Sequence, residues 1–117
     1  MKYILLIHHE EALDENERQL LLKESVQLAN QLHEKGQYLD AAPLEPTSAT
    51  TSVRVRDGKR LVTDGPFAET REQIGGYFLV DAKDLDEAID IAGRIPGARI
   101  GTVEVRPVRE VEGLPTA

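Results

Sequence analysis

The chain has no cysteine, which excludes disulfides, a thiolate nucleophile and thiolate metal ligands. That absence fits a reducing compartment, and a cytoplasmic location is expected. Large aromatics are scarce too: no tryptophan, two phenylalanines and three tyrosines. With so few available, Phe67 is expected to anchor its loop to the core. No apolar run approaches the eighteen or so residues of a membrane span. The N-terminal run Tyr3–Ile7 is five residues long and is followed by Glu10-Glu11, so it reads as a buried strand rather than a signal peptide. Positive charge is in short supply as well, with 14 basic against 21 acidic residues and a net charge of −7. Nucleic acid is therefore not an expected partner, because phosphate binding needs clustered lysine and arginine. The densest basic group, Arg54, Arg56, Lys59 and Arg60, is interleaved with valine and reads as a solvated strand face. No nucleophile elbow, P-loop or dinucleotide fingerprint occurs. Gly75-Gly76 precedes a strand instead of opening a helix, so it cannot seat a phosphate on a helix N-terminus. No cofactor is expected, and without a close His/Asp/Glu trio no metal site is expected either.

What remains is a regular alternation of strands and helices in a chain of 117 residues, the length of one domain. Tyr3–His8 is apolar at successive positions, as in a strand buried on both faces. Asp14-Glu15-Asn16-Glu17 has the spacing of a capping box and opens a helix that runs to Lys35. Its inner line is Leu21, Leu28 and Leu32, flanked by Leu22, Val26 and Ala29, and Gly36 closes it. A short strand, Tyr38–Ala42, precedes Pro43 and Pro46. Ser52–Arg56 alternates strictly, and Asp57-Gly58 is a two-residue hairpin turn leading into Arg60–Thr63. Gly76–Val80 is a further strand. Asp84–Glu87 repeats the capping spacing and opens a second helix with Leu85, Ala88, Ile89 and Ala92 as its inner stripe. Thr102–Val108 is the last strand, and 109–117 forms a loosely attached tail. The order is a split βαβ arrangement with an extra hairpin in its middle, an α+β fold. Two helices cover one face of such a sheet, yet both alternating sets of strand positions are apolar. The uncovered face calls for a second copy, so a homodimer with sheets packed face to face is expected.

Between the hairpin and the fifth strand lies Thr63-Asp64-Gly65-Pro66-Phe67-Ala68-Glu69-Thr70. Taken with Val53–Gly58, Leu61–Val62, Gln73–Tyr77 and Val103-Glu104-Val105-Arg106-Pro107, it resembles the DGPF-domain, YCII-related family from Met1 to about Val108. The resemblance implies a ferredoxin-like fold, with the antiparallel sheet carrying both helices on one face and pairing into a dimeric α/β barrel. It also implies thin functional definition. Some members are encoded beside extracytoplasmic-function sigma factors. One branch includes a dehydrochlorinase of a chlorinated hydroxyquinol, for which a helix histidine paired with an aspartate is the proposed site. Aligned on Gly36 and Ala42-Pro43, that histidine falls at or near Ser25. A hydroxyl cannot serve as general base near neutrality, so the dyad is interrupted here; Asp40 is the nearest candidate for its acidic partner.

The candidate site residues are thus Asp40, Asp64, His8 and Ser25. Asp64 is either a turn residue in a strand connector or, with Glu69, the lining of a pocket shared across a dimer. His8 and His9 point to opposite faces, and either is a strand-end surface histidine or a base. Ser25 has a structural alternative, a hydroxyl bonded back to the carbonyl of Leu21. His33 reads as structural, a cation near a helix C-terminus. Two functional classes stay open. One is a cofactor-free enzyme with lyase- or isomerase-like chemistry on a small aromatic or carbonyl ligand, in a pocket between sheet and helices. The other is a non-catalytic dimeric binding or regulatory module linked to sigma-factor-associated transcription, presenting an apolar patch around Leu44 and Pro46 or on the C-terminal tail.

Overall fold

A computed structural model describes residues 1–115 of the chain. Strand β1 (Lys2–His9) leads into helix α1 (Glu15–Glu34), β2 (Tyr38–Pro43), the hairpin β3 (Thr51–Arg56) and β4 (Lys59–Asp64), then β5 (Gln73–Asp81), helix α2 (Leu85–Arg94) and β6 (Thr102–Pro107). Four strands form one antiparallel sheet in the order β2-β5-β1-β6, while β3 and β4 pair only with each other. The expected α+β fold is therefore present, with the hairpin inserted between the second and third strands of a ferredoxin-like unit. The last of the described residues beyond Pro107 form neither strand nor helix. Of the expected tail 109–117, residues 116 and 117 lie outside the described residues.

Local chemistry explains the element ends. The Asp14 carboxylate accepts from the Glu17 amide at 2.8 Å, and that of Asp84 from the Glu87 amide at 2.9 Å, each satisfying an orphan donor of a helix N-terminus. Gly36 follows α1 at φ 72°, and Asp57 and Gly58 both take positive φ in the hairpin turn, as a type I′ connection requires.

Register then decides which side chains meet. Leu5 sits opposite Phe78, and Ile4 opposite Leu79, so Tyr3, Leu5, Phe78 and Val80 point to the helices and are buried. Ile4, Leu6, Tyr77 and Leu79 point to the other side and stay partly exposed. Leu28 and Leu32 of α1 and Ala88, Ile91, Ala92 and Ile95 of α2 and its exit complete the core.

Three expectations are corrected by this packing. Phe67 does not pin its loop to the core: it is 82% exposed, because Asp64-Gly65-Pro66 turns the chain away from both helices. In α2 the buried stripe is Ala88, Ile91 and Ala92, continued by Ile95 just past its end, with Leu85 and Ile89 half exposed. A ten-residue helix lying over the sheet can bury one narrow line, and Ile95 and Pro96 at its end set which line that is. In α1 the line is buried only at Leu28 and Leu32, whereas Leu22 and Val26 face outward.

Candidate functional site

The space between sheet and helices is occupied by the core side chains, and the two main concavities lie elsewhere. The larger, about 780 Å³ and widely open, is lined by His8, Glu10, Thr70, Arg71, Glu72, Thr102 and Glu104. It sits on the helix-free side, where the end of β1 and the start of β6 meet the loop that follows β4. Cross-strand pairing builds it. His8 is opposite Thr102 and Leu6 opposite Glu104, so His8 and Glu104 are diagonal neighbours on one face. His8 Nε2 lies 2.5 Å from Glu104 Oε1. The oxygen is off the direction of a ring N–H hydrogen bond, so the contact is an ion pair when the ring is protonated. Across the concavity Arg71 Nε donates to Glu10 Oε1 at 2.5 Å, which ties the loop to β1.

That loop is held at its base by backbone and hydroxyl contacts. Gly65 N donates to the Thr50 carbonyl at 2.7 Å, and Ser52 Oγ to the Gly65 carbonyl at 2.6 Å. The Gln73 amide side chain donates to the carbonyls of Ala68 and Thr70. A bulge between Ile7 and His8 brings the His9 ring over Gly75, where a Cβ would collide with it. His9 thereby closes the sheet end beneath the loop, and its Nδ1 lies 2.7 Å from the Glu10 carbonyl.

A second concavity of about 260 Å³ lies on the other side of the same loop, between Glu11, Thr47, Pro66, Glu69 and Gln73. The Thr47 hydroxyl and then the Thr47 amide donate to the Glu11 carboxylate, the amide at 2.8 Å. These bonds hold the Glu11 carboxyl below its ordinary range. Because the folded-state pKa is depressed, the stabilisation is present above the unfolded value and lost as pH falls through the folded one. Thr47→Val should therefore melt lower than the parent at neutral pH. The gap should narrow between about pH 5 and about pH 3. A gap in melting temperature that stays constant across that interval would rule out this link.

The sequence candidates fall in different places. His8 lines the larger concavity. Asp40 shares its face of the sheet but lies at the level of Ile4 and Leu79, about 13 Å along the strands and about 10 Å across them from His8. There it accepts a hydrogen bond from the Tyr77 hydroxyl at 2.7 Å, and that bond raises the tyrosine pKa. Asp64 ends β4, exposed, and lines neither concavity; Glu69 lines the smaller one. Ser25 donates to the Leu21 carbonyl at 2.8 Å, the structural alternative. Glu104, Arg71 and Thr70 were not singled out by residue chemistry. The Val103-Glu104-Val105 alternation puts Glu104 on the face opposite the two valines, but its meeting with His8 depends on β6 pairing with β1. Among the described residues no group of three His, Asp or Glu side chains is placed to hold a metal ion, and no helix is long and apolar enough to cross a membrane.

A split βαβ sheet covered by helices on one side, with its polar concavity on the other, defines a small α+β domain of the ferredoxin-like class. The family model for the YCII-related domain matches residues 1–112, and the chain belongs to that family. It is also similar to the uncharacterized protein R00369 of Rhizobium meliloti (strain 1021), with 35% identity over 116 residues and 92% of each chain covered.

Proposed function

We propose that this chain is an acid–base enzyme acting on a small carbonyl or aromatic compound at the His8–Glu104 concavity, working as a homodimer that buries the open sheet face. The carrying observation is the 2.5 Å approach of Glu104 to His8 Nε2 at the mouth of that concavity. A carboxylate beside one ring nitrogen supports the imidazolium that forms when the ring takes a proton. The other nitrogen, Nδ1, has no protein partner among the described residues and is the acceptor for a substrate proton. Thr102 and Arg71 supply hydroxyl and guanidinium donors for an oxygen that gains negative charge. The chemistry this supports is removal of a proton next to a carbonyl or from a ring hydroxyl, followed by reprotonation or loss of a leaving group.

Deuterium exchange into a panel of 1,3-dicarbonyl and hydroxylated aromatic ketones, followed by NMR, tests the reading. His8→Gln should lower catalysed exchange by roughly 10²- to 10⁴-fold. Glu104→Gln should lower it less. Parent protein that accelerates no exchange in the panel, or a His8→Gln variant that matches the parent, would sink it. The second reading, a non-catalytic regulatory module of the sigma-factor-linked kind, draws support from Leu44, half exposed where β2 ends. It predicts no turnover and saturable binding abolished by Leu44→Ser.

A further inference from the structure

The β3–β4 hairpin is a two-stranded arm outside the main sheet, and no element of its own body packs extensively against it. It stretches the molecule: the radius of gyration is 16.0 Å, against about 13 Å for a compact domain of this length. A lone hairpin is at best marginally stable in water. This one is also two-faced. Val53 and Val62 are directly opposite, with Val55 on the same side, all about 60% exposed. Arg54, Arg56, Lys59 and Leu61 occupy the reverse, and Arg60 lies opposite Val55 on the valine side.

We infer that the arm of one copy closes over the His8–Glu104 concavity and the adjoining open sheet face of a second copy, so that the site is complete only in the dimer. This inference rests on the homodimer proposed above and specifies what the partner contributes. Three observations favour a second copy as the occupant. The first is charge. The arm Thr51–Asp64 carries four basic residues and two carboxylates, which leaves −9 on the rest of a chain whose total is −7. The concavity itself presents Glu10, Glu72 and Glu104 against Arg71 and His8. Arg60, opposite Val55 on the valine side, is the arm cation that meets this acidic receptor, and the attraction weakens with salt.

The second is reach. Six-residue strands extend about 20 Å, enough to cross the width of a four-stranded sheet spaced at about 4.8 Å per strand. The third is position. The arm springs from Thr50 and Gly65, beside the loop that lines the concavity, so a two-fold axis near that end of the sheet lets the two arms exchange. The valine face then meets Leu6, Tyr77 and Ile4, which are apolar and partly exposed.

Because the chain lacks cysteine, single introduced thiols report the contact directly. Protein carrying Val55→Cys and mass-tagged protein carrying Thr102→Cys are mixed at equal concentration and oxidised. A disulfide between the two kinds of copy is the expected result. In a separate measurement by sedimentation equilibrium, Val53→Ser with Val62→Ser should weaken self-association by roughly a hundredfold, and raising the salt should weaken the parent. The far-UV circular dichroism of the body should be unchanged. A stable dimer that yields no such disulfide, or that links Val55→Cys copies only to one another, overturns arm closure and leaves the homodimer standing. A parent that is monomeric throughout the accessible concentrations overturns both.

Discussion

Gly101→Ala is expected to destabilise the fold by roughly 3 kcal/mol, lowering the urea midpoint by about 2 M at fixed protein concentration. A Cβ at this position would overlap the His8 carbonyl oxygen and press on the His9 Cβ. Both obstacles belong to the end of β1, and the first is backbone, so rotating a side chain cannot relieve the overlap. Relief requires β1 and β6 to separate where His8 pairs with Thr102, and that pairing is what brings Glu104 to the His8 ring. The substitution should therefore lower stability and remove the His8–Glu104 contact together. Gly93→Ala is the control: a Cβ there meets nothing within 4 Å, and alanine favours the helix. An unchanged midpoint for Gly101→Ala would mean that the two strands do not approach this closely in solution.

The local features were legible because each depends on a few adjacent residues. Asp14 and Glu17, Asp84 and Glu87, Gly36, and Asp57-Gly58 each carry their geometry in their own chemistry. Both aspartate caps and both glycine turns form as the spacing indicates, while the Glu87 carboxylate reaches back to the Lys83 amide instead of that of Asp84. The split βαβ order followed from the alternation of such segments. What escaped was set by pairings across the chain. Glu104 and His8 are 96 positions apart and meet through the β1–β6 register; nothing local to either residue encodes it. Phe67 misled for a related reason. A rare aromatic beside a turn is a good core candidate on composition alone, but the path of the loop after Pro66 decides where the ring points, and here it points to solvent. Ser25 shows the opposite case, where the helical spacing to Leu21 was enough to give its hydrogen bond.

The same distinction makes α1 a sharp experiment. Leu32→Ala should cost about 2–5 kcal/mol, the range for truncating a fully buried leucine, because Leu32 is 0% exposed against the sheet. Leu22→Ala, on the same helix and 40% exposed, should cost less than about 1 kcal/mol. The asymmetry follows from how the helix is held. Of its twenty residues only Leu28 and Leu32 are buried, so the C-terminal half is anchored and the N-terminal half relies on the Asp14 cap and on side-chain pairs such as Gln19 with Glu15. Leu32→Ala should consequently release the whole helix, and amide exchange should quicken along α1 together with the Gln37 amide that closes it on the Leu32 carbonyl. In Leu22→Ala exchange should change only near the substitution. Equal losses of stability from the two variants would show that the outer side of α1 is covered in solution. The packing of a single chain would then no longer account for the helix.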